Sequence, residues 1–308
     1  MKVCADPPYL DSAKCRCLGE VMNDTLPRSA LFMPGSNTRA IEKARTLDCD
    51  AVILDLEDSV APDAKASARA HVQQALDEGG FGRRLVAVRT NGLDTSEIAQ
   101  DWPIAQQADV VVVPKVSTLD ELAGCQAGLG ESQADLWVMI ETPQALLNIR
   151  DLARQAHAIA PSLTAFVIGA NDLAKDIGVR QVEGRWNMVP WFSEVVLAAS
   201  AAGLGVLDSV SNNFRALDGF SAECAQGADL GMGGKTLIHP AQIEPCNRAF
   251  GPTAADIERA QAIISTFAEP ANTDKGAIQI NGEMVERLHI AGAQEILRRA
   301  TALNLLQG

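Results

Sequence analysis

Arg89, Glu141 and Asp172 stand where three of the most apolar runs of this 308-residue chain stop: LVAVRTN, LWVMIET and AFVIGAND. Runs of apolar and β-branched residues of this length read as buried strands, so a charge at the end of one has reached a rim. In a parallel α/β architecture, active sites form on the rim at the carboxyl ends of the strands. Glu141 and Asp172 lie one βα unit apart, which sets them on adjacent strand ends. Neighbouring carboxylates repel unless a cation sits between them. Two carboxylates plus waters commonly hold Mg²⁺, with positions left for substrate. Each acid could instead cap the helix that follows it, TPQALL or LAKDIG. The Arg89 guanidinium could hold a carboxylate bidentately or form a structural ion pair with Glu57 or Asp58, and the two roles are compatible. One cation and two carboxylates on one rim point to a metal-assisted enzyme for an acidic substrate.

Further charges belong to the same ring. The second apolar run ends Asp55-Leu56-Glu57-Asp58, and strand alternation sends Asp55 and Glu57 to one side, Leu56 and Asp58 to the other. Asp55, Glu57, Asp58 and Lys115 (VVVVPK) are expected to support the site, orienting metal-bound waters or Arg89, with a solvated loop as the competing reading of the acids. Asp208 (GVLDSV), Lys235 and His239 (GGKTLIHP) complete the ring, and a packing role competes with catalysis for His239. His71, His157 and His289 fall in helical stretches and read as surface residues.

The elements that must position these groups repeat from Arg28 onward. Strand-like runs occur at 29–35, 51–58, 85–91, 109–115, 136–142, 165–172, 204–210 and 228–234, separated by helical stretches such as KASARAHVQQALDE and PQALLNIRDLARQAHAIA. Such alternation over residues 25–250 fits a (β/α)₈ TIM barrel. A doubly wound sheet is the alternative, but the turn after the first run is PGSN, with no G-x-G-x-x-G. Residues 251–308 read as a C-terminal lid or arm: a helix at ADIERAQAIISTFAE capped by Thr253 and Asp256, a short hairpin, and a last helix from about Val285 to Leu305. Residues 1–24 lack periodicity and read as a disordered extension in which Met22 is a second candidate start.

The formal net charge of −13 argues against nucleic acid and anionic membranes as partners, and no apolar run approaches a membrane span of roughly 18 residues. An acidic protein handling an anionic substrate needs local positive charge or a divalent cation. The seven cysteines are odd in number, and no signal peptide precedes them. They read as reduced cytoplasmic thiols rather than a disulfide framework, and the Cys15–Cys17 pair has no second half for zinc.

The segments RSALFMPGSNTRAIEKA, DAVILDLEDSVAPDAKASAR, VAVRTNG, WVMIETPQALLNI, FVIGANDLAKDIG and GGKTLIHPAQIEPCNRAF resemble the citrate lyase β-subunit-like (CitE-like) branch of the HpcH/HpaI aldolase superfamily. The resemblance implies a TIM barrel, Mg²⁺ on Glu141 and Asp172, a substrate-carboxylate arginine at Arg89, and acyl or CoA contacts near Phe32, Arg39 and Lys43. It also implies a trimer or hexamer in which an acid from a neighbouring subunit closes the site. That acid falls on Glu286, in Gly282-Glu283-Met284-Val285-Glu286, where the family has aspartate.

The implied activity is retro-aldol (retro-Claisen) cleavage of a 3-hydroxy-3-carboxyacyl-CoA into acetyl-CoA and a 2-oxo acid, with Glu286 as general acid and citramalyl-CoA as the first substrate expected, ahead of malyl-CoA. Three rivals stand beside it: a citrate lyase β subunit acting on carrier-protein-bound citryl groups, a CoA-independent metal aldolase, and a non-catalytic acyl-CoA-binding barrel. A class I aldolase would need Lys115 or Lys235 as a Schiff-base amine.

Overall fold

Alternate residues of each apolar run face opposite ways, and here both faces are apolar, so each strand must be buried on both sides. The computed structural model, which describes residues 26–272 and 274–303, meets this demand with a closed parallel barrel. Its strands are β1 (Ser29–Pro34), β2 (Ala51–Asp55), β3 (Leu85–Arg89), β4 (Val110–Val113), β5 (Asp135–Ile140), β6 (Leu163–Ile168), β7 (Gly205–Asp208) and β8 (Gly234–Leu237), paired in chain order, with β8 returning to β1. Parallel neighbours need a crossover, and helices supply it between successive strands. The fold is the TIM barrel expected from the alternation. The readings made for residues 1–24 and for Cys15 and Cys17 lie outside the described residues.

One set of alternating side chains fills the barrel: Ile53, Val112, Trp137, Met139, Val167 and Leu207 among them. Alanines 30, 51, 87 and 165 make room for Trp137, which is 2% exposed. The other set, including Leu54, Val88, Val111, Ile140 and Phe166, packs against the helix layer. The amino-terminal end is plugged by the segment ahead of β1. Leu26 lies where a Cβ on Gly205 would stand, and the Pro27 carbonyl lies where one on Gly234 would stand, so glycine is required at both positions. Arg28 ties the plug down by donating to Asp50 through Nε (2.7 Å) and Nη2 (2.8 Å).

Three boundaries differ from the expectation. The run AFVIGAND leaves the sheet at Ile168, and Asp172 lies in the first turn of the helix Ala170–Ile177. The eighth strand is Gly234–Leu237, not 228–234, and Ala228–Asp229 end the preceding helix instead. The last helix begins at His289 because Val285 belongs to a hairpin of β9 (Ala277–Ile280) and β10 (Glu283–Glu286) around an Asn281-Gly282 turn with both residues at positive φ. That hairpin packs with the helices Ala254–Ala268 and His289–Ala302 around Ile263, Phe267, Ile278, Val285 and Ala293, a cluster of its own. The Thr253–Asp256 capping box is present.

Lys235 overturns its sequence reading. It does not join the rim but sits within β8, facing the helix layer at 0% exposure. There it donates to Asp208 Oδ2 (2.8 Å), and Arg185 donates to Asp208 Oδ1 (2.8 Å). Burial alone would raise the Asp208 carboxyl, but Lys235 and Arg185 outweigh it and hold that group below its usual range. An outward-facing, ion-paired lysine cannot serve as a Schiff-base nucleophile inside the barrel. Removing one partner of a buried pair typically costs about 3–5 kcal/mol. Lys235→Met is therefore expected to lower stability by that order in urea unfolding, and adding Asp208→Leu to deepen the loss, because it also strips buried Arg185 of its carboxylate.

Candidate active site

The carboxyl ends of β2 and β3 place the first two charges side by side. Asp55 and Arg89 are register partners, and both continue the inward-facing sets of their strands. Inside a barrel an arginine must bring its counter-ion with it. Arg89 Nε donates to Asp55 Oδ1 and Nη2 to Asp55 Oδ2, both at 2.7 Å. The Glu57 and Ser59 amides also donate to the Asp55 carboxylate. Burial pushes the Asp55 carboxyl up, but the Arg89 charge and these hydrogen bonds pull it below its ordinary value. Phe32, from β1, lies under the guanidinium at 4.6 Å, a cation–π contact that further fixes its plane.

Glu57 and Lys115 continue the chain of charges. Glu57 Oε2 is 2.9 Å from Arg89 Nη1, buried and without an aligned hydrogen bond, while Lys115 Nζ donates to Glu57 Oε1 at 2.6 Å. Burial raises the Glu57 carboxyl more than the two cations lower it. Burial would lower the Lys115 ammonium, but Glu57, Asp58 and Glu141 raise it well above its ordinary value. Lys115 is therefore no more a Schiff-base amine than Lys235. Among the described residues it is also one of three non-glycine residues at positive φ (58°), a conformation costing on the order of 1–2 kcal/mol. This backbone turn directs the Lys115 amide at Glu141 Oε1, 2.9 Å away.

Glu141 is the first residue past β5 and is 1% exposed. Gly169, just past β6, is the reason it fits, since a Cβ there would come within 2.5 Å of Glu141 Oε2. Its carboxyl is pushed up to about 8, first by burial, then by the charge of Glu57 and, against the pull of Arg89, by that of Asp172. Asp172, half-buried, faces this site from the first helical turn after β6, where the helix amide dipoles favour a negative charge.

The barrel thus brings together Phe32, Asp55, Glu57, Arg89, Lys115, Glu141 and Asp172. Four carboxylates face two cations, a surplus of negative charge suited to a divalent ion. All the donors are oxygens, which select Mg²⁺-like metals over soft ones. Among the described residues no group of three or more His, Cys, Asp or Glu is arranged to hold a metal; the acids that would hold one are Glu141 and Asp172, whose charge bears on Glu141. Magnesium fits this donor set.

Among the described residues the other candidates make no hydrogen bond or ion pair with this chain of charges. Asp58 is exposed and touches the ring only through its charge on Glu57 and Lys115. Arg39 and Lys43 lie exposed on the helix Thr38–Ala44 and make no ion pair among the described residues. His239 caps a short 3₁₀ turn, accepting from the Ala241 amide at Nδ1, and stacks on Phe214. Glu286 lies on the C-terminal hairpin, where its amide donates to His289 Nδ1. Gly169 was missed in the sequence, although a glycine between a strand and an acid-bearing helix was visible there.

The family model described as HpcH/HpaI aldolase/citrate lyase matches residues 28–240. The chain is 43% identical over 278 residues to a (3S)-malyl-CoA thioesterase of Cereibacter sphaeroides, covering 90% of this chain and 95% of the relative. It is 30% identical over 308 residues to an L-malyl-CoA/beta-methylmalyl-CoA lyase of the same species, covering 90% and 95%. The crystal structure of CitE from Mycobacterium tuberculosis in complex with magnesium, acetoacetate and coenzyme A superposes with a TM-score of 0.73 at 26% identity, covering 90% of this chain and 99% of that one.

The raised Glu141 carboxyl has a measurable consequence. The folded protein retains a proton there that the unfolded chain releases near pH 4.5, so folding loses stability as pH rises from 4.5 towards about 8. In EDTA, Glu141→Gln is expected to gain stability over the wild type across this window, by at most about 1.4 kcal/mol per pH unit for one proton. Thermal unfolding of the two proteins at pH 5, 6, 7 and 8 measures the difference.

Proposed function

The chain belongs to the HpcH/HpaI aldolase/citrate lyase family, and on that premise we propose that it is a magnesium-dependent enzyme acting on a malyl-type 3-hydroxy-3-carboxyacyl-CoA thioester, cleaving it to acetyl-CoA and a 2-oxo acid. The observation that carries this reading is the oriented Arg89 guanidinium beside the Glu141–Asp172 pair, a cation and an anionic metal cradle within one barrel mouth. Citramalyl-CoA, the first expectation from sequence, yields to malyl-CoA because the relatives at 43% and 30% identity are both named for malyl-CoA.

Glu141 and Asp172 would hold the magnesium, which supplies chelation of the substrate's hydroxyl and carboxylate, lowering the hydroxyl pKa and stabilising the developing 2-oxo acid. Asp55 takes Nε and one N–H of Nη2 of Arg89, and Nη1, paired with Glu57 without an aligned hydrogen bond, keeps N–H groups to offer. These can grip the substrate carboxylate and offset charge in the transition state. Trp137 and Met139 floor the mouth with apolar surface. The C3 hydroxyl gives its proton to water as C3–O becomes the carbonyl of the 2-oxo acid, the electron pair of the breaking C2–C3 bond passes to the thioester as an enolate, and Glu286 delivers a proton to C2 as general acid. Glu286 is flanked by exposed Met284 (71%) and Leu288 (69%), an apolar edge suited to docking on a second copy. We therefore read the C-terminal segment as an arm that completes a neighbouring site in a homo-oligomer.

Thioester hydrolysis, yielding malate and free CoA, is a second reading. It is favoured by the 43% identity to a thioesterase and by glutamate at position 286, where the family's lyase pattern has aspartate. The same rim would hold the acyl group, with water attacking the thioester carbon instead of C–C cleavage.

Incubation with malyl-CoA and with citramalyl-CoA, in Mg²⁺ and in EDTA, separates the readings by product. Magnesium-dependent acetyl-CoA plus glyoxylate from malyl-CoA, or plus pyruvate from citramalyl-CoA, supports the lyase, and free CoA plus malate or citramalate supports the thioesterase. No product from either substrate rejects both and returns the chain to a carrier-protein-bound citryl substrate or to a binding role. Arg89→Met is expected to lower kcat/KM by about 10²–10³-fold with the Mg²⁺ affinity retained. Glu141→Ala and Asp172→Ala are expected to abolish magnesium-dependent turnover.

A further inference from the structure

Lys115 touches both halves of the rim through different parts of itself. Its main-chain amide donates to Glu141 Oε1 at 2.9 Å, and its side-chain ammonium donates to Glu57 Oε1 at 2.6 Å. Glu57 in turn lies 2.9 Å from Arg89 Nη1. The amide contact depends on a left-handed backbone (φ 58°) that a lysine rarely adopts, while the ammonium contact depends only on the charge at the end of a flexible stem. We propose that Lys115 is a positioning residue with two separable duties: its left-handed backbone orients Glu141 for the metal, and its ammonium shares Glu57 with Arg89, so that Glu57 Oε2 pairs with Nη1 at 2.9 Å without aligning on its N–H, which stays available to the substrate carboxylate.

The first duty is one of direction. With Oε1 engaged by the amide, Glu141 presents Oε2 as its open donor, on the side bounded by Gly169. Hydrogen bonds of this kind to a metal-binding carboxylate fix its orientation, and their loss typically costs 10–100-fold in metal affinity. The second duty is one of competition. Glu57 Oε2 has no aligned hydrogen bond of its own, so a Glu57 freed from Lys115 can turn fully onto Arg89 Nη1 and occupy a donor that the substrate needs. Both duties rest on the reading of Glu141 as a magnesium ligand and Arg89 as the carboxylate anchor.

Three substitutions separate them. Lys115→Gly keeps the amide and favours the left-handed backbone while removing the ammonium. Lys115→Met removes only the charge. Lys115→Val adds a β-branched side chain that resists positive φ. The readouts are Mg²⁺ affinity by calorimetry without substrate, and KM and kcat for the thioester that the wild type turns over. Lys115→Gly and Lys115→Met are expected to bind Mg²⁺ within about twofold of wild type but to show KM raised about tenfold. Lys115→Val is expected to lose at least about tenfold in Mg²⁺ affinity as well.

Weakened Mg²⁺ binding in Lys115→Gly, or an unchanged KM in both Lys115→Gly and Lys115→Met, overturns the proposal. So does wild-type Mg²⁺ affinity in a folded Lys115→Val. If Lys115→Val does not fold, the Gly and Met variants still decide the matter. A wild type that binds no Mg²⁺ fails the underlying magnesium reading instead, a result recognisable before any variant is made.

Discussion

A guanidinium inside the mouth of an apolar barrel is the constraint to which the rest of the rim answers. Desolvating an unpaired cation costs many kcal/mol, so Arg89 can exist there only with a carboxylate already in place. Asp55 is that carboxylate, its register partner one strand away, and its bidentate grip spends one side of the fork. Glu57 brings a second acid against the same cation, and Lys115 a second cation against that acid. Each addition compensates for the one before it. The chain ends with two carboxylates, Glu141 and Asp172, that form no ion pair among the described residues, and on the proposed reading a divalent metal completes the series.

The same logic separates the two buried charge clusters. Asp208, Lys235, Arg185 and Glu223 balance one another on the outer side of β7 and β8, so that cluster asks for nothing from outside and serves packing. The rim cluster on β2 to β6 does not balance. Burial accompanied by charge imbalance, rather than burial alone, distinguishes a place that takes a ligand from one that only holds the protein together.

Much of this was legible in the sequence because the barrel is written in apolar runs and the charges stand at their ends. Arg89, Glu141, Asp55 and Glu57 could be read as inward-facing from alternation alone. The eighth strand could not, because its burial of Lys235 depends on Asp208 in the neighbouring strand, a contact no local pattern carries. Asp172 looked like the end of a strand because FVI runs smoothly into GAND, whereas Gly169 lets the chain turn into a helix before Asp172 is reached. The left-handed backbone of Lys115 has no sequence signature, since lysine is an unfavoured residue there. The distance between Glu286 and the rim is set by the packing of a C-terminal segment with its own small core, and periodicity does not report on that.

The plug ahead of β1 bears on how this molecule comes into being during synthesis. Arg28 and Ser29 bond to Asn247, and β1 pairs with β8, so the first strand waits for β8 (Gly234–Leu237) and Asn247 to be translated before the ring can shut. At a translation rate of about 5–20 residues per second, β1 spends on the order of ten seconds or more with one edge unpaired. The charged rim does not share that wait. Its members from Asp55 to Asp172 emerge as one contiguous arc and can compensate one another while the circle is still open, which leaves seam closure as the late event.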